Sequence, residues 1–159
     1  MIRKALTLDF ELFYMLYMHE QTNPYSLYEM MDRHSFQPIW SDLLQKQVLY
    51  VFEHDNNGVG MFKLIQLQHR NAHIAYLGGV AIHPDFAGKG LGNTMLQEII
   101  ELGKTMHLLR IELSTATSNE RAIYLYEKLG FKKEGVLRNY TYLAGENRFL
   151  DEVMMSYLY

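Results

Sequence analysis

The sequence predicts a single α/β domain, one mixed sheet carrying helices on both faces. Three observations predict it. A short apolar run, Leu77 to Ile82, leads into a glycine-rich stretch, and from about Asn93 into an amphipathic segment with Met95, Leu96, Ile99, Ile100 and Met106 at helical spacing. A second apolar run, Leu108 to Ser114, follows, and strand–helix–strand at this spacing implies a right-handed crossover between parallel strands. Elsewhere the chain reads as further helices and hairpin strands, with no internal repeat, low-complexity tract or interdomain linker, so residues 1–159 are expected to form one domain.

Taken in order, Ile2 to Leu6 reads as a first strand, and Thr7 or Asp9 as the N-cap of a helix with Phe10, Phe13, Tyr14 and Tyr17 on its apolar side. Asn23-Pro24 breaks that helix; Ser26 to Met31 suggests a short second one, and Phe36 to Gln45 another around Trp40. Val48 to Phe52 and Val59 to Leu67 read as hairpin strands across the turn signal Asp55-Asn-Asn-Gly58. Arg70-Asn71 turns the chain into Ala72 to Ile82, the strand that feeds the glycines. Beyond the helix ending near His107, a further helix begins at a Ser118 N-cap and stops at Gly130.

Composition narrows the function classes. The 159 residues are 48% hydrophobic and 21% charged, enough for a full core in one domain. A net charge of −3 gives no global basic field for nucleic acid or an anionic membrane. Cysteine is absent, which removes disulfides, thiolate metal sites and a cysteine nucleophile, and no metal cluster is expected from the seven histidines. With no apolar stretch of about 18 residues and no signal-peptide pattern, a soluble, cytoplasmic protein is expected.

The informative stretch is Val80-Ala-Ile-His-Pro-Asp-Phe-Ala-Gly-Lys-Gly-Leu-Gly92. Proline after His83 ends the strand, since it cannot donate to a sheet ladder. Gly88, Gly90 and Gly92 allow positive φ and close approach of a ligand to the main chain, and the helix start adds unpaired N–H groups and a positive dipole end. A phosphate-bearing ligand suits such a loop; a plain connecting turn is the alternative. The Walker pattern fails, for no Gly-Lys-Ser/Thr follows, and G-x-G-x-G is not the dinucleotide fingerprint.

The stretch resembles motif A of the GNAT superfamily of acyl-CoA-dependent N-acetyltransferases, Q/R-x-x-G-x-G/A, here Ala87-Gly88-Lys89-Gly90-Leu91-Gly92, with Ala87 in place of the usual Gln or Arg. Downstream, Asn119-Glu-Arg-Ala-Ile-Tyr-Leu-Tyr-Glu-Lys-Leu-Gly-Phe131 resembles motif B at the expected distance. Alone it is an amphipathic helix whose Ala122, Tyr126 and Leu129 share one face. Together the motifs cover the second half of the chain, from Leu77 onward, and continue through a hairpin around Ala144-Gly-Glu-Asn147 to a last strand at Asp151–Met155. The pattern is most similar to small bacterial members that acetylate amino acids and related amines.

That resemblance implies a mostly antiparallel twisted sheet of about seven strands with one parallel pair splayed at the cofactor site. It implies acetyl-CoA as donor, bound by Ala87, Gly88, Lys89, Gly90, Leu91, Gly92 and Asn93 at the pyrophosphate and by Val80 and Ile82 at the pantetheine arm. Tyr126 would be the general acid for the departing thiolate, since a phenol with pKa about 10 is protonated at neutral pH. Asn119 would bond the cofactor arm or the surroundings of Tyr126, or simply cap the helix. Where relatives carry a base, this chain has Tyr76 and Gly78; Glu112 and His73 are substitutes, and a water path is the preferred route. Trp40, Phe36, Tyr25 and Tyr28 are candidate walls of the acceptor site or plain core. The expected acceptor is a small primary amine such as an amino acid, with a polyamine or a protein N-terminus as runner-up, and a non-catalytic acyl-CoA-binding module as the reading from another class. A homodimer through the last strand or hairpin is an expected assembly.

Overall fold

The computed structural model describes residues 1–159. Seven strands make one sheet in the order β1-β2-β3-β4-β5-β7-β6, with four α-helices. The expected mixed α/β architecture is present. The strands are β1 (Ile2–Lys4), β2 (Leu49–His54), β3 (Asn57–Gln66), β4 (Ile74–Ile82), β5 (Arg110–Ala116), β6 (Lys132–Leu143) and β7 (Arg148–Leu158). The helices are α1 (Phe10–Met18), α2 (Arg33–Gln45), α3 (Leu91–Thr105) and α4 (Glu120–Lys128). The chain clusters into two compact bodies, Met1–Ile65 with Leu77–Ile99, and Gln66–Tyr76 with Ile100–Tyr159. No helix is long and apolar enough to cross a membrane.

In the first body, β1 and β2, and β2 and β3, pair antiparallel. The β2–β3 turn is tighter than Asp55-Asn-Asn-Gly58 suggests: His54 pairs with Asn57, leaving Asp55 and Asn56 as the loop. Both have positive φ, 50° and 61°, the mirror-image turn that matches the strand twist. Asp9 precedes α1 as expected, but its side chain does not cap it. Its carboxylate instead accepts two N–H bonds from Arg3, at 2.7 and 2.9 Å, and one from the Leu6 main chain at 2.7 Å. Burial pushes the Asp9 carboxyl up, and these donors together more than reverse it, leaving it below its usual range.

The predicted helix over Ser26 to Met31 is absent. The Asn23 amide donates to the carbonyls of Tyr17 and Tyr28, both at 2.9 Å, and holds this stretch as a loop. Helix α2 starts earlier than Phe36 because Asp32 accepts the Ser35 N–H at 2.8 Å, an N-cap the sequence reading passed over. The core of this body joins Phe13, Leu16 and Tyr17 of α1 to Phe36, Trp40 and Leu43 of α2, over Leu49, Val51, Met61 and Ala81. Each of the larger aliphatic and phenyl side chains among them contributes about 1.5–3 kcal/mol by leaving water.

In the second body, Ile74–Tyr76 pair parallel with Arg110–Glu112, and β7 pairs antiparallel with β5 and β6. Strand β5 begins two residues later than Leu108 for a local reason. Leu108 N–H bonds the Gly103 carbonyl and His107 N–H the Lys104 carbonyl, both at 3.0 Å, with His107 left-handed at φ 57°. This closing motif of α3 takes up Leu108 before a strand can start. The same motif ends α4, this time on the predicted glycine: Gly130 (φ 98°) bonds Glu127, and Phe131 bonds Tyr126, each at 3.0 Å.

Candidate active site

In the first body, His83, Pro84 and the single turn Pro84–Phe86 carry the chain from β4 to the glycines. The His83 N–H bonds the Val59 carbonyl at 2.8 Å. By antiparallel alternation, Val80 and Ile82 then direct their main-chain groups away from β3. Ala87 spends its N–H on the Pro84 carbonyl at 3.0 Å, so it brings neither a free main-chain donor nor a polar side chain. Gly88 and Gly90 are both left-handed, φ 76° and 78°. The first helical bond of α3 closes from Thr94 to Gly90 at 3.2 Å.

Between Ala87 and Thr94 lie six consecutive N–H groups, those of Gly88, Lys89, Gly90, Leu91, Gly92 and Asn93, with no main-chain acceptor. A Cβ built on Gly88 or Gly90 would meet nothing within 4 Å, so these two positions border open space. Lys89 rests over the Phe86 ring, 4.9 Å from its centroid, and adds a positive charge to the loop. Helix α3 starts at Leu91 and not at Asn93, which makes Gly92 a helical residue. Donor density, the helix dipole and Lys89 all favour an anion here.

In the second body, Tyr126 lies on α4, 7% exposed, its ring centroid 5.6 Å from that of Phe131. The closing turn at Gly130 fixes both, since it ties the Phe131 N–H to the Tyr126 carbonyl. The Tyr126 hydroxyl has no partner in the chain, while no fully enclosed side-chain nitrogen or oxygen lacks one. The oxygen is therefore not fully enclosed. Burial, with Tyr76 adding to it, pushes the phenol well above its ordinary value, so it holds its proton throughout the neutral range. Asn119 stands at the N-cap position of α4, yet its side chain does not cap. Its amide donates to Thr115 Oγ1 at 3.1 Å.

Of the substitute bases, Glu112 is held by the Arg110 guanidinium at 2.8 Å. His73 is exposed and lies just before β4, at the end of that strand remote from the glycines. Trp40 and Phe36, 2% and 0% exposed, are core. Tyr28 is half-buried and Tyr25 exposed. Two clusters escaped the sequence reading. In the second body, Glu152 accepts from Thr141 Oγ1 at 2.7 Å and from Ser114, whose hydroxyl stands 3.5 Å from that of Tyr76. In the first, Lys63 sits buried on β3 without an ion pair. Period-two alternation along Asp151–Ser156 could have flagged Glu152; a lysine inside the apolar run Val59–Leu64 could have flagged the other.

The sequence profile of the Acetyltransferase (GNAT) family matches residues 10–131. A spermidine N(1)-acetyltransferase of Escherichia coli is 30% identical over 115 residues, covering 68% of this chain and 61% of that protein. A ribosomal protein bS18-alanine N-acetyltransferase of Salmonella typhimurium is 39% identical over 66 residues, 42% of this chain and 45% of that one. The chain thus spans between about half and three fifths of these curated relatives. Among solved structures, spermidine N-acetyltransferase from Vibrio cholerae in complex with CoA and spermine superposes with a TM-score of 0.86 at 22% identity, over 99% of this chain and 94% of that chain. Ribosomal-protein-alanine N-acetyltransferase from Brucella melitensis gives 0.82 at 20%, over 100% and 99%. At such identities the superpositions speak for the fold, and the family match across three quarters of the sequence speaks for kinship. This chain belongs to the GNAT family of acetyltransferases.

Proposed function

We propose that the chain is an acetyl-CoA-dependent N-acetyltransferase acting on a small primary amine. The observation that carries this reading is the run of six main-chain N–H groups without a main-chain acceptor, Gly88 to Asn93, with Lys89 among them. A pyrophosphate suits such a loop, because none of these donors must first leave a main-chain acceptor. Val80 and Ile82, whose main-chain groups point away from β3, would pair with an amide-bearing arm as an added strand does. Acetyl-CoA supplies an activated acetyl group and a thiolate leaving group that needs a proton.

The chain's own residues supply the rest. Tyr126 holds its proton at neutral pH and has an unengaged hydroxyl from which to give it. A pure acyl-CoA binder has no use for such a donor, and this sets the binding-module reading aside. Asn119, turned from the cap towards Thr115, would steady the start of α4 and with it Tyr126. Neither Glu112, tied to Arg110, nor exposed His73 is placed as a base, so the incoming ammonium would lose its proton to water before attack.

A second reading, with a polyamine as acceptor, draws on the 30% identity to a spermidine acetyltransferase. A thiol-release assay with acetyl-CoA decides between them, using free amino acids, spermidine and peptides with N-terminal alanine. Turnover of amino acids above the others supports the first reading. Turnover of spermidine alone would replace it with the second; thiol release that needs no acceptor would leave a hydrolase, and no release across a broad amine panel with CoA still bound would leave a binder.

A further inference from the structure

Lys63 stands in the middle of β3, flanked by Met61, Phe62 and Leu64, and is 7% exposed. Its register partner is Leu49. Alternation along the strand puts it on the face of Met61, the face covered by α1 and α2. The ammonium lies 5.9 Å from the centroid of the Tyr28 ring and forms no ion pair or hydrogen bond. It is not sealed off, since no fully enclosed nitrogen or oxygen lacks a partner. Around it the charges do not balance. Asp42 is taken by Lys46 at 2.7 Å, and Lys46 repels Lys63, adding to the burial that lowers the Lys63 ammonium.

Two tyrosines complete the cluster. Tyr17, 2% exposed, packs edge-on against Tyr28 with ring centroids 5.1 Å apart. Its hydroxyl, also without a partner, overlies Gly79 of β4 so closely that a Cβ there would stand 2.5 Å from the oxygen. Gly79 itself is left-handed, φ 59°. Here the close approach requires glycine. The cluster thus offers a cation and phenolic O–H donors, none hydrogen-bonded or ion-paired to a carboxylate, with the Asp42 charge acting on the Tyr28 phenol from a distance. An apolar residue at position 63 would stabilise the fold more, because a buried, unpaired ammonium is costly. Retaining it makes chemical sense if an anion arrives to pair with it.

We propose that Lys63, with the hydroxyls of Tyr17 and Tyr28, binds the carboxylate of the acceptor, which is therefore an amino-acid-like zwitterion and not a polyamine. This rests on the acetyltransferase reading above and names the substrate class that reading leaves open. A polycation is disfavoured by the same ammonium, for like charges meeting in a poorly solvated place repel strongly.

The test uses matched acceptors: an amino acid, its amide, the amine lacking the carboxyl group, and spermidine. Wild type should prefer the amino acid to its amide by at least about tenfold in kcat/KM, the scale of one charge-assisted bond. Lys63→Met keeps the length and apolar bulk, and should raise KM for the amino acid about 10- to 100-fold while leaving kcat and the amide's KM within about twofold. Tyr17→Phe, which keeps the ring, should move the same ratio in the same direction by less. An unchanged preference in Lys63→Met, or a wild type that favours spermidine or the amide, overturns the proposal. Calorimetry with N-acetylglycine and N-acetylglycinamide separates it from the enzymatic reading. Binding of the acid alone, lost in Lys63→Met, upholds the carboxylate site even if no acceptor is turned over. Failure of wild type to bind the acid in preference to the amide overturns it.

Discussion

Tyr126→Phe is the sharpest test of the mechanism, because the structure separates the two things a tyrosine can do at this position. The ring is engaged: it lies within 5.6 Å of Phe131, and the turn at Gly130 locks both in place. The hydroxyl makes no hydrogen bond within the protein, although Tyr76 acts on it electrostatically. Removing one oxygen therefore leaves the packing intact and breaks no hydrogen bond, so the melting transition should shift by no more than about 1 kcal/mol. If the hydroxyl gives its proton to the leaving thiolate, kcat should fall by about 10²–10⁴. That corresponds to about 2.7–5.5 kcal/mol of barrier. Affinity for CoA should stay within about twofold, since the donors of Gly88 to Asn93 are untouched. The assay is steady-state thiol release beside calorimetric CoA binding and a thermal melt. Equal kcat in the two proteins would make Tyr126 a core tyrosine and refute the role given to it. A loss of CoA affinity equal to the loss of kcat would move it from acid to binding residue.

Three further outcomes are expected. Gly90→Ala meets no steric neighbour but must hold φ near 78°, so it should cost about 1–2 kcal/mol of stability and weaken CoA binding at least about tenfold by calorimetry. Full CoA affinity in that variant would remove the loop from the cofactor site. Glu112→Gln should keep kcat within about tenfold, as expected when water and not this Arg110-bound carboxylate takes the amine's proton; a loss of three orders of magnitude would name Glu112 as the base. Glu134 is held at about 2, first by its hydrogen bonds from Arg110 and then by Ser156, against an ordinary 4.5. A carboxyl depressed in the folded state favours folding above its unfolded value and loses that contribution as pH falls from about 4.5 towards 2. Melting of wild type should thus decline more between pH 5 and pH 3 than that of Glu134→Gln. Since the Glu134 side chain is 40% exposed, the difference should shrink in high salt.

What the sequence made legible follows from how locally each feature is determined. The glycine loop, its strand and its helix could be read because φ at Gly88 and Gly90 is set by the residues themselves. Gly130 as a helix end is the same kind of statement. The misread boundaries were decided by bonds the local pattern does not contain. Leu108 reads as strand by its side chain, but its N–H is spent closing α3, with a histidine standing where a glycine is usual. Ser26 to Met31 reads as helix by composition, but Asn23 ties the stretch back to Tyr17 and Tyr28. Asp9 reads as a cap, but Arg3 reaches it first.

The acceptor side was illegible for a deeper reason than missing motifs. A cofactor shared by a whole family can be met by one repeated loop, whereas an acceptor is met by single side chains brought together from distant places in the chain. Tyr17, Tyr28, Lys63 and Gly79 come from α1, a loop, β3 and β4, and no spacing rule links them. What does mark them is a local violation of the pattern. Lys63 interrupts the apolar run Val59–Leu64, and Gly79 interrupts the run from Leu77 to Ile82. Each costs stability where it stands, the lysine by desolvation and the glycine by chain entropy. Two such costs that meet at the Tyr17–Tyr28 pair are better explained by one ligand than by two accidents of packing. On this argument the proposed acceptor is to be sought among acids that carry an amine, and a spermidine acceptor is the outcome that would overturn it.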